Sequence, residues 1–512
     1  LHHDTTGTEH PRAAEGSAPT TPEIAALVAR SRAAQERWRL VPLADRVTAL
    51  KRAAKGMLRR RHEVIELARA ELGKVECEGL FNEALGPLET LTGWVNVLEG
   101  ALSRRKVRLN PLSFPKKRAH VDLVPRGVVG IIAPWNYPVA GLYRSLFPAL
   151  LTGNGVVLKP SEFTPRTSAW LALSLAAELP DGLVQVVQGD AKAGSALIDA
   201  GIDACVFTGS PRSGRRVRIQ CAERGIPSSI EMGGKDPAIV LADCDMPHTV
   251  AAITHWALSN VGQACGAIEI VYVDERIAGE LVDRLRVAFG KLRVGPARAG
   301  DFADIGPLGN ARQLAIVKAH VEDARAKGAK VVCGGETVGD TMYFAPTILD
   351  DCREGMSVVD DETFGPVLAV VRVEGVADAI RRANQSRYGL GASLWTSDLD
   401  RAQRLAERLD VGVVTINNHG FSGAIPALPW SGTRETGFGV ANGPESLATF
   451  VRPRATIVDS GTEPAPFFMP YDRALWDLGD ILADAQAGRI ARAWRIPLLL
   501  RKRIQTVTKF FR

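Results

Sequence analysis

The sequence has no Cys-x-x-Cys pair, no cluster of histidines, and no apolar run near the ~18 to 20 residues that a membrane span needs. Its seven cysteines (77, 205, 221, 244, 265, 333 and 352) are odd in number and scattered, which argues against a disulfide framework and against a zinc site. A reducing cytoplasm fits that usage best. The start of the chain lacks the apolar core of a signal peptide, and residues 1–20, rich in His, Thr, Gly, Ser and Pro, read as a flexible leader. Surplus positive charge is also missing from most of the chain. The net charge is +6, yet residues 489–512 hold eight Lys/Arg and no Asp/Glu, leaving 55 basic against 57 acidic residues elsewhere. A body without a basic surplus argues against nucleic acid as a partner.

What is present is ordinary for a globular protein: 512 residues, 46% hydrophobic and 23% charged, enough for two or three domains around large cores. Thr21-Pro-Glu23 before Ile24 offers a helix start, and helices continue to about residue 100. Short extended pieces with Pro111, Pro115 and Pro125 follow. Val128 to Ile132 then reads as a buried parallel strand that feeds the loop Ala-Pro-Trp135-Asn136-Tyr137-Pro138, and such strand exits are where α/β proteins bind ligands.

Two side chains between residues 228 and 273 suit covalent chemistry. Cys265, in the glycine-punctuated Gly-Gln-Ala-Cys265-Gly, can attack an electrophilic carbon as a thiolate, and Glu231, before Met-Gly-Gly-Lys235, can activate water. The Asn136 amide can donate to an oxyanion. Taken singly, each has a plainer reading: a buried small hydrophobe, a solvated charge, a turn-former. Gly209-x4-Gly214 after a strand is weak evidence for a nucleotide, although a helix N-terminus lined by small residues suits a pyrophosphate.

Together these motifs resemble the NAD(P)-dependent aldehyde dehydrogenase superfamily. The resemblance rests on Pro-Trp-Asn136-x-Pro, Lys159-Pro-Ser161-Glu162, Phe-Thr-Gly209-Ser210-x3-Gly214, Glu231-Met-Gly-Gly-Lys, Gly-Gln-x-Cys265 and Glu362-Thr-Phe364-Gly-Pro, in the family's order over residues 21 to 455. It implies an α/β fold: a Rossmann-like NAD-binding domain (21–106 and 126–232), a second α/β catalytic domain (233–437) and a β-arm for oligomerisation (107–125 and 438–456), followed by a tail (457–512). It further implies Cys265, Glu231 and Asn136 as catalytic residues. Trp135, Lys159, Ser161, Glu162, Gly209, Ser210, Gly214, Glu362 and Phe364 would hold the cofactor, with no metal. Glu162 would repel a 2′-phosphate and so favours NAD, with NADP as the alternative because Lys159 could compensate. A homodimer or homotetramer is implied by the arm.

Departures sharpen the expectations. Ile270 stands where the family usually has an arginine, which puts anchoring of the cysteine loop in question, and Val440-Ala441 replaces a basic residue. Arg144 falls where semialdehyde-specific members bind a carboxylate, but their second arginine is Ser259 here, so an ion pair is the better expectation. The substrate pocket, with Tyr137, Leu142, Tyr143 and the 419–428 stretch, points to an apolar aliphatic or aromatic aldehyde. The alternatives are a succinic semialdehyde-type substrate, acyl transfer to coenzyme A, and a non-catalytic NAD-binding membrane-surface scaffold. In the tail, Leu500, Ile504, Val507 and Phe511 make an apolar helical face among cations. This suggests either docking on the protein or peripheral membrane contact through residues 489–512.

Overall fold

The computed structural model describes residues 19–111, 113–296 and 302–511; most of the expected leader, residues 1–18, lies outside them. The chain forms two compact units, one of residues 19–102 and 124–452, the other of residues 103–123 and 453–511.

The larger unit contains two large sheets and a two-stranded one, in which Trp430–Ser431 pairs with Val440–Ala441. In the first, Val128–Ile132 lies between Gly155–Lys159 and Ala204–Thr208, with Val184–Val186 outside the former and Ser228–Glu231 outside the latter, all parallel. The chain thus builds outward on one side, returns to the centre and builds on the other, so the strand order reverses beside Val128–Ile132. Loops leaving the carboxyl ends of strands at such a reversal open a ligand crevice. Gly437–Phe438 closes this sheet as an antiparallel edge on Ser228–Glu231, so the arm boundary placed at residue 438 does not coincide with the strand.

The second sheet has seven strands, with Ile268–Asp274 and Asp236–Val240 at its centre and only Lys330–Cys333 antiparallel to its neighbour. All seven residues of Ile268–Asp274 are buried, as a strand covered on both faces requires. Ile270 is among them, pairing with Ala369 and Pro237.

Helices clad the first sheet. Thr21–Trp38 begins with a capping box, Thr20 and Glu23 exchanging hydrogen bonds, and is tied down when the indole of Trp38 donates to the Leu150 carbonyl at 2.8 Å. Further on, Gly79–Ala84 forms a π-helical turn, in which the Leu85 N–H reaches back to the Leu80 carbonyl at 3.0 Å.

In the smaller unit, Arg105–Val107, Lys117–Pro125 and Val451–Asp459 form a three-stranded sheet. Helices Arg473–Gln486 and Ile496–Phe511 follow as a hairpin. Ion pairs Arg495 to Asp477 and Arg503 to Asp472 run in opposite order along the two helices, so the hairpin is antiparallel.

Candidate active site

The central strand of the first sheet delivers Asn136 to the cysteine loop. Asn136 is buried, and its Nδ2 donates to the Gln263 carbonyl at 2.9 Å, two residues before Cys265. One amide N–H of Asn136 is thereby used; its other remains for a ligand oxygen. The same Gln263 carbonyl accepts from Asn260 Nδ2 at 3.0 Å, which also donates to the Asn136 carbonyl at 3.1 Å.

Beneath the loop lies a buried charged frame from the helical region. Lys74 Nζ pairs with Glu83 at 2.7 Å, donates to the Asn136 carbonyl at 3.0 Å and stands 4.6 Å from the Tyr137 ring centre. Glu83 in turn accepts from the N–H groups of Val139 and Ala140 at 2.9 and 3.1 Å. Glu78 accepts from the Asn260 N–H; burial pushes its carboxyl up, and Lys74 opposes. Asn260 and Val261 hold φ of 53° and 61°. A left-handed valine is strained, on the order of 1–3 kcal/mol, and persists only where its surroundings dictate it.

Cys265 is half-buried and Glu231 faces it. Burial, then the Glu231 carboxylate, pushes the thiol well above its ordinary range, while Arg144 pulls it back. Glu231 Oε2 lies 3.5 Å from Arg144 Nη2, and its Oε1 is buried with no hydrogen-bond partner. Arg144 also stands 5.2 Å from the Trp430 ring centre. Tyr143 is buried and stacks on Phe147, and Leu142 is fully buried. His419 is buried, its Nε2 facing the Gly266 carbonyl at 2.8 Å, and burial lowers its pKa to about 4, so its ring stays neutral.

The turn between the two sheets needs its glycines. Gly233 has φ of +83° and a Cβ there would lie 2.5 Å from a Glu362 oxygen; one on Gly234 would meet the Cys265 carbonyl at 2.9 Å. Below, Lys235 and Glu269 form a buried pair at 2.6 Å, and Glu269 accepts from the N–H groups of Thr363 and Phe364, both at 2.7 Å. These bonds, together with Gln263, anchor the cysteine loop without a cation at position 270. They also fix Phe364 in a left-handed conformation, φ 53°, edge-on to Trp135 with ring centres 5.8 Å apart. Burial, then Glu269, raises Glu362 well above the usual carboxylate range, against the Gly234 N–H at 3.2 Å.

The residues expected at a dinucleotide flank the Asn136 strand on both sides. On one, Lys159 pairs with Glu162 at 3.6 Å, and Ser161 Oγ contacts Glu162 at 3.4 Å. On the other, Ser210 caps the helix Pro211–Glu223, and a Cβ on Gly214 would strike Met232 Sδ at 2.5 Å, so that helix can press on the sheet only with glycine there. A helix N-terminus with an exposed Ser210 suits phosphate oxygens, and the Glu162 side chain, 40% exposed, suits ribose hydroxyls. The residues present therefore fit a nicotinamide dinucleotide. Among the described residues, no group of three or more His, Cys, Asp and Glu side chains is placed to hold a metal.

Several of these residues carried no signal as site residues. Glu78 and Glu83 sit in a helical stretch whose charges read as surface, and only Glu83's two loop contacts reveal it. Trp430 had a signal, its place in Pro429-Trp-Ser-Gly, that did not extend to Arg144.

This arrangement is that of an oxidoreductase acting on aldehydes. The profile of the aldehyde dehydrogenase family matches residues 7–456, and the chain belongs to that family of NAD(P)-dependent enzymes. It is 39% identical over 448 residues to 4,4'-diapolycopene aldehyde oxidase of a Methylomonas species, covering 86% of this chain and 83% of that one. A Mycobacterium ulcerans protein provisionally named succinate-semialdehyde dehydrogenase (NADP+) 2 is 34% identical over 436 residues, 84% of this chain and 83% of the relative. Among solved structures, NADP-dependent glyceraldehyde-3-phosphate dehydrogenase of Bacillus halodurans complexed with NADP matches with a TM-score of 0.80 at 34% identity, over 87% of this chain and 92% of the other.

Proposed function

We propose that the protein oxidises an apolar aldehyde to its carboxylic acid through Cys265, with Asn136 and Glu231 as its catalytic partners. The observation that carries the reading is the buried Glu231 Oε1, without a hydrogen-bond partner of its own, facing the Cys265 thiol. That oxygen can take the thiol proton, and the resulting thiolate adds to the aldehyde carbon. The free N–H of Asn136 and the backbone N–H of Cys265 would hold the oxyanion. Bound NAD(P) would supply the hydride acceptor, and the acyl group held by Cys265 is a thioester. Once Glu231 has released the thiol's proton to solvent, it deprotonates the water that hydrolyses the thioester and returns that second proton to the departing thiolate, so that the carboxylic acid and the free thiol are released.

For the cofactor, Trp135, Phe364 and Glu362 would meet the nicotinamide end, and Lys159, Ser161, Glu162, Gly209, Ser210 and Gly214 the adenosine and phosphate end. Glu162 supports NAD; its pairing with Lys159 keeps a cation at the same place, which leaves NADP as the alternative. The name of the Methylomonas relative supports a long apolar aldehyde, as do buried Leu142 and Tyr143. Arg144 is engaged by Glu231 and Trp430, which favours an ion-pair role over recognition of a substrate carboxylate.

A homodimer or homotetramer is supported by Val451–Asp459, a mostly exposed strand at the edge of its sheet, which further pairing would cover. Seven free cysteines support a reducing cytoplasm. No helix among the described residues is long and apolar enough to cross a membrane, and we take the tail, residues 489–512, to be a peripheral membrane contact. The test is NAD(P)H formation against aliphatic, aromatic and semialdehyde substrates, with and without coenzyme A, beside Cys265→Ser. Turnover that the variant abolishes, giving free acid without coenzyme A, is expected. Product only with coenzyme A would replace hydrolysis by acyl transfer, and cofactor binding without turnover would leave the scaffold reading.

A further inference from the structure

Of the 26 large hydrophobic side chains exposed among the described residues, ten fall within residues 467–511, less than a tenth of the chain. They do not come from a poorly packed tail. Ala474, Leu478 and Ile481 of the first hairpin helix close on Leu499 of the second, with Ile496 and Leu500 against them. Arg503 is fully buried, donates to the Pro466 and Phe468 carbonyls at 3.0 and 2.6 Å, and pairs with Asp472 at 3.0 Å. The hairpin thus has its own core and a pinned entry loop, and still turns Trp476, Ile490, Trp494, Leu498, Phe510 and Phe511 outward, each 62–75% exposed.

The sequence places the apolar stripe at Leu500, Ile504, Val507 and Phe511, whereas the buried line is Leu499, Arg503 and Val507 and Phe511 is exposed. The opposite face of the same helix carries Leu498, Arg501, Lys502, Gln505 and Lys509, all exposed and at helical spacing. Carboxylates of the first helix are already taken: Asp477 by Arg473 and Arg495, Asp480 and Asp484 by Arg492. Arg489, Arg501 and Lys509 have no carboxylate partner among the described residues.

We infer that this hairpin docks on an anionic lipid bilayer, with its exposed aromatic and aliphatic side chains at the headgroup boundary and Arg489, Arg501, Lys502 and Lys509 against lipid phosphates. Aromatic rings that are apolar at one side settle at that boundary, and unpaired cations are attracted to the negative leaflet while staying hydrated. A second copy of the chain suits the face less well, because its unpaired cations would lose water without gaining partners. The docking is read from the hairpin alone; its use, reaching an aldehyde dissolved in the membrane, rests on the proposed substrate class.

The test is co-sedimentation of the full chain, saturated with NAD(P), with vesicles of phosphatidylcholine alone or mixed with phosphatidylglycerol, and tryptophan fluorescence on the same samples. Binding confined to the anionic vesicles, reversed by salt and accompanied by a blue shift, is expected. A triple variant, Arg501→Gln, Lys502→Gln and Lys509→Gln, should lose at least about tenfold in partitioning, and Trp494→Ser with Leu498→Ser should lose both binding and blue shift. Both variants change only exposed side chains and should keep the wild-type Tm and turnover of a short water-soluble aldehyde, so a failure of the aldehyde reading shows in that assay and not in sedimentation. Absence of binding to anionic vesicles, equal partitioning of the variants, or a smaller assembly on gel filtration of the variants without lipid binding would overturn the inference.

Discussion

The frame around the candidate site and the reacting groups inside it are built differently. Lys74–Glu83 and Lys235–Glu269 are buried pairs at 2.7 and 2.6 Å, each also bonded to the loop it supports. By contrast, Arg144 and Glu231 are 3.5 Å apart, one Glu231 oxygen is unpartnered, and burial beside Glu231 disfavours the Cys265 thiolate. A carboxylate with the proposed role of serving thiol and water in turn cannot be locked by strong bonds, whereas the backbone that aims Asn136 and Phe364 can be. Stability and reactivity are thus assigned to neighbouring but separate sets of charges.

Breaking each set in turn should separate the two roles. Cys265→Ala should lower turnover by at least about 10³-fold with no loss of stability, since it removes the proposed nucleophile and nothing of the frame; single-turnover kinetics and thermal melting check both halves. Lys74→Met should cost about 3–5 kcal/mol in urea unfolding, because Glu83 is left buried and unpaired. Lys74 and Glu83 replaced together by Met and Leu should cost less than Lys74→Met alone, which would mark the loss as uncompensated charge. Asn136→Ala should lower kcat about 10²-fold, or about 3 kcal/mol, with little change in KM.

Two smaller effects are pH-dependent. Asp236 is buried, and burial raises its pKa to about 8, so the folded chain keeps a proton that the unfolded chain gives up near 4. Its contribution to stability is therefore full below that lower value and is lost as pH rises toward 8. Asp236→Asn should remove the loss, making the variant more resistant to urea than wild type by about 2 kcal/mol more at pH 8 than at pH 6. Equal pH dependence in both proteins would refute this. Smallest is Arg144→Leu: without the guanidinium the thiol pKa rises further, and the pH profile of Cys265 alkylation should move upward with less than about a tenfold change at pH 8. No movement would mean that Arg144 serves Glu231 and Trp430 without acting on the thiol.

What could be read from the sequence follows the length scale of the interactions. The strand and loop carrying Asn136, the Glu231 turn and the Cys265 loop are contiguous motifs, and their fold class and family were legible because apolar runs and glycines act locally. The helix at 21 was legible from its cap for the same reason. Lys74 and Glu83 were not, since a lysine and a glutamate nine residues apart in a helical stretch read as solvated until the 136–140 loop is laid over them. The burial of Arg503 was not legible, because its partners, two carbonyls and Asp472, lie more than thirty residues upstream and nothing in the helical pattern announces them. Likewise, Ile270 looked like a missing anchor, but the anchor is the adjacent Glu269, which reaches Lys235 across two neighbouring strands.

The π-helical turn at Gly79–Ala84 has a consequence for the chain's tolerance of length change. Such a turn is an α-helix holding one residue too many, and here the surplus lies between Glu78, which serves Asn260, and Glu83, which serves Lys74 and the loop after Asn136. Deleting a single residue between them would let an ordinary helix form and would rotate everything on one side by about 100°, so that the two carboxylates could no longer face their targets together. This short segment is therefore intolerant of a deletion that its neighbours in the same helical layer would absorb, and a scan of single-codon deletions across residues 60–100 should find its sharpest loss of turnover there.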